Sequence, residues 1–117
     1  MIDAIHFYKS YDLENVKKFY GDVLNLTLFK DQGKCLIYDM NGHGKIGFCT
    51  HHPQLVPNST CITFVYERRV DVERMHKHLK TRAQDVTNPQ LNDAFKIYHF
   101  YCKDLDGHTL EFQTFLN

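Results

Sequence analysis

Asp12-Leu13-Glu14-Asn15-Val16-Lys17-Lys18 is echoed 59 residues later by Asp71-Val72-Glu73-Arg74-Met75-His76-Lys77. Each copy opens a helical pattern. After Asp12, a residue suited to capping a helix, Val16, Phe19, Tyr20, Val23 and Leu24 form the apolar stripe of a helix laid on a sheet. After Asp71, read as the cap of a second helix, Val72, Met75 and Leu79 do the same. Working outward, residues 3–9 read as a strand before the first helix, and 26–30, 34–40 and 45–50 as strands after it. Asn41-Gly42-His43-Gly44 supplies a hairpin turn, because Asn and Gly accept positive φ. Residues 53–59, with Pro53 and Pro57, read as a linker. Around the second copy, 60–66 reads as a strand, 84–87 as a short strand in a loop-like region, and 95–102 and 108–115 as the closing pair. Ile46-Gly47-Phe48-Cys49-Thr50 also matches Leu110-Glu111-Phe112-Gln113-Thr114 at an offset of 64. The order strand, helix, three strands therefore occurs twice, which is a signal at the level of the fold.

Composition sets the outer limits. The 117 residues suit one domain, and 43% apolar content suits a packed core. Fourteen basic residues balance fourteen acidic ones, so the charge excess that nucleic acids or anionic membranes require is absent. No apolar run reaches the length of a membrane span, and Met1–Tyr8 lacks the features of a signal peptide; a cytoplasmic location is expected. Cys35, Cys49, Cys61 and Cys102 form no CxxC pair and read as reduced thiols.

The doubled module, the segment Asp12-Leu13-Glu14 with Phe19-Tyr20-Gly21-Asp22-Val23-Leu24-Asn25-Leu26, and the closing Lys103-Asp104-Leu105-Asp106-Gly107-His108-Thr109-Leu110-Glu111-Phe112 together resemble the vicinal oxygen chelate superfamily. That superfamily includes glyoxalase I, bleomycin-resistance proteins, fosfomycin-modifying enzymes and extradiol dioxygenases. The resemblance implies an α+β fold of two βαβββ modules in tandem, within a single domain over 1–117. Module 1 would span about 1–52 and module 2 about 60–117. Curved mixed sheets would form a cleft with the helices outside. It also implies a divalent ion in metal-dependent members, acting as a Lewis acid, and a homodimer.

Strand alternation sets Glu111 on the cleft face, where the family carries a metal-binding Glu, with Thr109 and Gln113 beside it. Its expected partners are missing. The module mate of Glu111 is Gly47, which has no side chain. Counting back from Asp12 to the family's first-strand His lands on Ile5; His6 is one residue off and needs a β-bulge to turn inward. The second module offers Cys61 and Thr63 where a His is expected. No metal is therefore expected; a displaced set of His6, Cys61 and Glu111, binding Zn, Ni, Mn or Fe, is the alternative. His99 can face either side of its strand, and the remaining His read as turn or surface residues.

Two functions follow. The first is a protein resembling bleomycin-resistance proteins that binds a small organic molecule through Phe7, Gly47, Cys49, Thr109, Glu111 and Gln113, with Tyr101 and Phe115 as further aromatic walls. The second is a lyase or isomerase resembling glyoxalase I, with Glu111 as catalytic residue acting as ligand and base. A Cys49–His51 nucleophilic pair is a minor further reading.

Overall fold

β1 (Ile5–Lys9) lies parallel to β4 (Lys45–Cys49), and β3 (Cys35–Asp39) and β2 (Thr27–Asp31) follow antiparallel, giving the sheet order β1-β4-β3-β2. β5 (Cys61–Val65) repeats this with β8 (Thr109–Phe115), β7 (Ile97–Lys103) and β6 (Gln90–Asn92), in the order β5-β8-β7-β6. The structure is a computed structural model that describes residues 1–51 and 60–116; His52 and the expected linker over 53–59 lie outside the described residues. The chain divides into two compact units, Met1–Pro57 and Asn58–Asn117, each carrying one four-stranded mixed sheet. The tandem βαβββ reading is the observed architecture.

In unit 1, Asp12 caps α1 (Leu13–Val16) by accepting from the Glu14 N–H at 3.0 Å. The helix then widens into a π-helix over Lys17–Val23, closed by a Leu24 N–H bond to the Phe19 carbonyl. The widened turn keeps Phe19 and Tyr20 fully buried, with Tyr20 against Phe48 at a ring separation of 4.4 Å. The Asn41–Gly44 hairpin forms as expected, with φ of 55° at Asn41, 84° at Gly42 and 100° at Gly44.

In unit 2, α2 (Arg69–Leu79) buries Val72 and Leu79. Asp71 is not its N-cap. Arg68 holds that place, and Asp71 lies inside the first turn, where its carboxylate accepts the Arg68 backbone N–H at 3.2 Å. The core beneath is aromatic: Phe112 stacks on Phe64 at 5.0 Å and on Phe100 at 5.2 Å, and His76 meets the Phe100 ring edge-on. The expected strand over 84–87 reduces to a single bridge, Gln84 to Lys103, and the short strand forms at Gln90–Asn92 instead. At Thr87 the chain still donates its N–H to the Tyr101 carbonyl, but the Tyr101 N–H returns to the Thr87 hydroxyl at 2.8 Å instead of to a backbone carbonyl, which interrupts the ladder.

Two turns fix the registers that matter. In the β7–β8 turn, buried Asp104 accepts from the Asp106 N–H at 3.0 Å and the His108 N–H at 2.8 Å. Its second oxygen meets His108 Nδ1 at 2.7 Å. This turn sets Tyr101 directly opposite Glu111, and His99 opposite Gln113. The Asn41–Gly44 turn likewise sets Cys35 opposite Cys49 and Ile37 opposite Gly47.

Candidate functional site

Paired residues in neighbouring strands point to the same face. In unit 2 the face away from α2 therefore carries Cys61 and Thr63 from β5, Thr109, Glu111, Gln113 and Phe115 from β8, and Ile97, His99 and Tyr101 from β7. A concavity of about 350 Å³ opens on this face. Ile97, Phe95, Tyr101 and Phe115 form its apolar lining; Asn92, His99, Glu111 and Gln113 supply polar groups. Its volume lies at the small end of the range for small-molecule sites.

Glu111 is the organising residue. One carboxylate oxygen accepts from Thr63 Oγ1 at 2.8 Å, and the other meets His99 Nδ1 at 2.7 Å. The His99 and Glu111 side chains are only 12% and 11% exposed, so this pair is shielded from solvent. With Nδ1 donating to the carboxylate, the neutral imidazole presents Nε2 as a proton acceptor. The His99 ring packs edge-on against Tyr101 at 5.1 Å. Burial raises the Tyr101 phenol above its ordinary pKa, and the negative charge of Glu111 adds to this. Burial likewise raises the Cys61 thiol, with Thr63 partly offsetting it, so Cys61 is a protonated, weakly nucleophilic neighbour. An oriented imidazole beside a fixed carboxylate can take up or deliver a proton. The surrounding aromatic rings can hold an apolar body in place.

Of the expected residues, Glu111, Gln113, Tyr101 and Phe115 line this concavity, and Thr109 shares the face near its strand's start. Phe7, Gly47 and Cys49 lie in unit 1. There Phe7 is the direct partner of Gly47, as Thr63 is of Glu111. A Cβ placed on Gly47 would sit 2.5 Å from the Phe7 ring, so the aromatic ring fills the place that Glu111 occupies in unit 2. Cys49 is not a free thiol. It is bonded to Cys35 across the β3–β4 hairpin, which corrects the expectation of reduced thiols at these two positions and the nucleophilic reading; Cys61 and Cys102 are free thiols. The direct register and a Cα separation of 4.3 Å bring the two sulfurs together. The β1–β4 register runs unbroken from Ile5 to Lys9, so the bulge needed by His6 does not form. His6 pairs with Ile46 on the face of the buried Phe48, opposite Phe7 and Gly47.

The ion implied by the resemblance does not fit these residues. Its positions in unit 1 hold Ile5 and Gly47, neither of which has a donor atom. In unit 2 they hold Cys61 and Glu111, so two of the four positions carry a donor, short of the three protein ligands a catalytic ion takes. His99, Asn92 and Phe95 join the site without having been picked out from the sequence. The signal for His99 was the β7–β8 turn, which sets its face.

Residues 6–112 match the sequence profile of the Glyoxalase/Bleomycin resistance protein/Dioxygenase superfamily. A glyoxalase/bleomycin resistance protein/dioxygenase from Nocardioides is similar in structure, with a TM-score of 0.80 at 16% identity, covering 100% of this chain and 84% of that one. A lactoylglutathione lyase from Agrobacterium tumefaciens gives 0.78 at 15% identity, covering 94% and 90% of the two chains. A glyoxalase-related enzyme from Fulvimarina pelagi gives 0.80 at 16% identity, covering 95% and 86%. At these identities the likeness is one of fold. No curated protein matches the sequence.

Proposed function

Because the chain belongs to the glyoxalase/bleomycin resistance protein/dioxygenase superfamily, we propose that it binds a small organic molecule in the concavity of unit 2, without the family's metal centre. The observation that carries this reading is the Glu111 carboxylate, held on one side by Thr63 and on the other by His99 at the wall of an aromatic-lined hollow. A carboxylate engaged by two donors serves as a fixed acceptor that orients His99, and His99 Nε2 then addresses a donor on the ligand. Phe95, Tyr101 and Phe115 take the apolar body.

A second reading is supported by the same His99–Glu111 pair: proton transfer at a carbon next to a carbonyl, a lyase or isomerase reaction with His99 as the base in place of metal chemistry. A homodimer and a cytoplasmic setting belong to this proposal. Among the described residues no helix is long and apolar enough to cross a membrane.

The test is metal analysis of untagged protein, followed by thermal-shift titration of Ni²⁺, Zn²⁺, Mn²⁺ and Fe²⁺ on reduced and oxidised samples, with Glu111→Gln as control. The expected result is no ion whose binding depends on Glu111. Stoichiometric metal that disappears in Glu111→Gln overturns the metal-free reading. Turnover of a thiol–methylglyoxal adduct that is lost in His99→Gln favours the second reading over simple binding.

A further inference from the structure

Unit 1 carries a second cluster, on its own sheet and unused by the reading above. Cys35 and Cys49 face each other in the β3–β4 register and are both buried, at 6% and 3% exposure. His51 follows just beyond β4, and its Nδ1 lies 3.7 Å from the Cys35 sulfur. The ligating atoms of Cys35, Cys49 and His51 all lie within 4.8 Å of one another, the one such trio among the described residues. The strand ends that present them are tied together: Thr50 N–H donates to the Lys34 carbonyl at 3.1 Å, and Gln32 N–H to the Cys35 carbonyl at 2.9 Å. Lys9 stands opposite Cys49 in β1, with its ammonium held to the Thr50 carbonyl at 2.6 Å.

We propose that Cys35, Cys49 and His51 form a redox-gated site for a soft divalent cation of the zinc class, closed as the disulfide and open as the dithiol. Geometry supports this directly. In a tetrahedral site with Zn–S of about 2.3 Å and Zn–N of about 2.05 Å, sulfur and nitrogen stand roughly 3.6 Å apart and the two sulfurs roughly 3.8 Å. The His51–Cys35 separation of 3.7 Å already matches the first of these distances. The second needs only side-chain rotation of two residues whose Cα atoms are 4.3 Å apart. Two thiolates and an imidazole are also the donor types that select zinc over the harder cations.

The chemistry balances as follows. A dithiol reductant delivers two electrons and two protons to the Cys35–Cys49 bond, becomes a disulfide itself, and leaves two thiols. The cation displaces both thiol protons to solvent and takes a lone pair from the His51 ring; water completes four-coordination. In reverse, an oxidised dithiol accepts two electrons from the two thiolates and two protons from solvent. The Cys35–Cys49 bond re-forms and the ion leaves.

The experiment uses the full chain without a tag. One sample is reduced with dithiothreitol and desalted anaerobically, the other kept oxidised, and both are titrated with Co²⁺ and then Zn²⁺. The reduced chain is expected to bind one Co²⁺ with thiolate-to-metal charge-transfer absorption, which Zn²⁺ abolishes; the oxidised chain shows neither. Cys49→Ser is expected to lower that absorption by about half and weaken binding by tenfold or more. His51→Ala, at an exposed position, should weaken binding by about tenfold and keep the thiolate absorption. The Cys61→Ser/Cys102→Ser double variant should bind as the parent does. No Co²⁺ binding by the reduced chain, equal binding in both redox states, or charge transfer that survives in Cys35→Ser/Cys49→Ser overturns the proposal. None of these outcomes depends on whether unit 2 binds an organic ligand.

Discussion

Placing a methyl group on Gly47 tests how unit 1 has closed the position that Glu111 occupies in unit 2. The new Cβ would lie 2.5 Å from Cδ1 and Cε1 of Phe7 and 3.3 Å from its Cζ. Carbon atoms settle at about 3.5–4.0 Å, so the ring must retreat by roughly 1 Å or more. Overpacking of this kind costs about 1–3 kcal/mol. Phe7 is 37% exposed and has room to swing outward, which places the cost near the lower end, about 1.5 kcal/mol. Replacing a strand glycine returns about 0.5–1 kcal/mol through the unfolded chain. Gly47→Ala is therefore expected to destabilise by about 0.5–1 kcal/mol with Phe7 present, and to stabilise by a similar amount in a Phe7→Ala background. The double-mutant cycle should give a coupling of about 1.5 kcal/mol. Urea unfolding followed by far-UV circular dichroism and tyrosine fluorescence measures it, since the chain has seven Tyr and no Trp. Additivity to within about 0.3 kcal/mol would refute the packing argument, because residues in contact through a blocked volume cannot act independently.

Three further outcomes are expected. Thr63→Val removes the donor to one Glu111 oxygen and should cost about 1–2 kcal/mol while weakening ligand binding, read by urea midpoint and by titration with the same probe molecule. Asp104→Asn loses the charged partner of His108 in a turn whose side chains are 2–3% exposed, and should lower the urea midpoint by the equivalent of about 3 kcal/mol. Burial, with the negative Asp104 nearby, pushes the Cys102 thiol up to about 12 from 9.0. The folded chain therefore keeps this proton when the unfolded chain has lost it. That contribution is whole below pH 9 and is lost as pH rises through about 12, amounting to about 1 kcal/mol by pH 10. Cys102→Ala should show a flatter stability profile over that range.

The tandem modules were legible because each helix stripe and each turn carries its own local signal: Asp12, the Asn41–Gly44 run and the Asp104–Gly107 run all act where they stand in the chain. Those same turns held more than was read from them. A hairpin centred on Gly42 pairs Cys35 with Cys49, and the closing turn puts His99 on Glu111's face one pair away, yet both follow only once the register is counted across the turn. The ring of Phe7 over Gly47 was beyond reach, because it depends on a side-chain rotation that strand alternation does not set. The start of α2 was misread for a related reason. Asp71 and its capping chemistry are real, but the carboxylate serves from inside the first turn, and Arg68 takes the boundary.

The most direct measurement is amide chemical-shift mapping of ¹⁵N-labelled protein against a panel of neutral fragment-sized molecules, with Glu111→Gln alongside. A concavity organised by Glu111 predicts that the largest shifts fall on His99, Tyr101, Glu111 and Gln113, and that they shrink about tenfold or more in affinity in Glu111→Gln. Shifts confined to unit 1, or shifts at those four residues that are indifferent to the loss of the carboxylate, would contradict it.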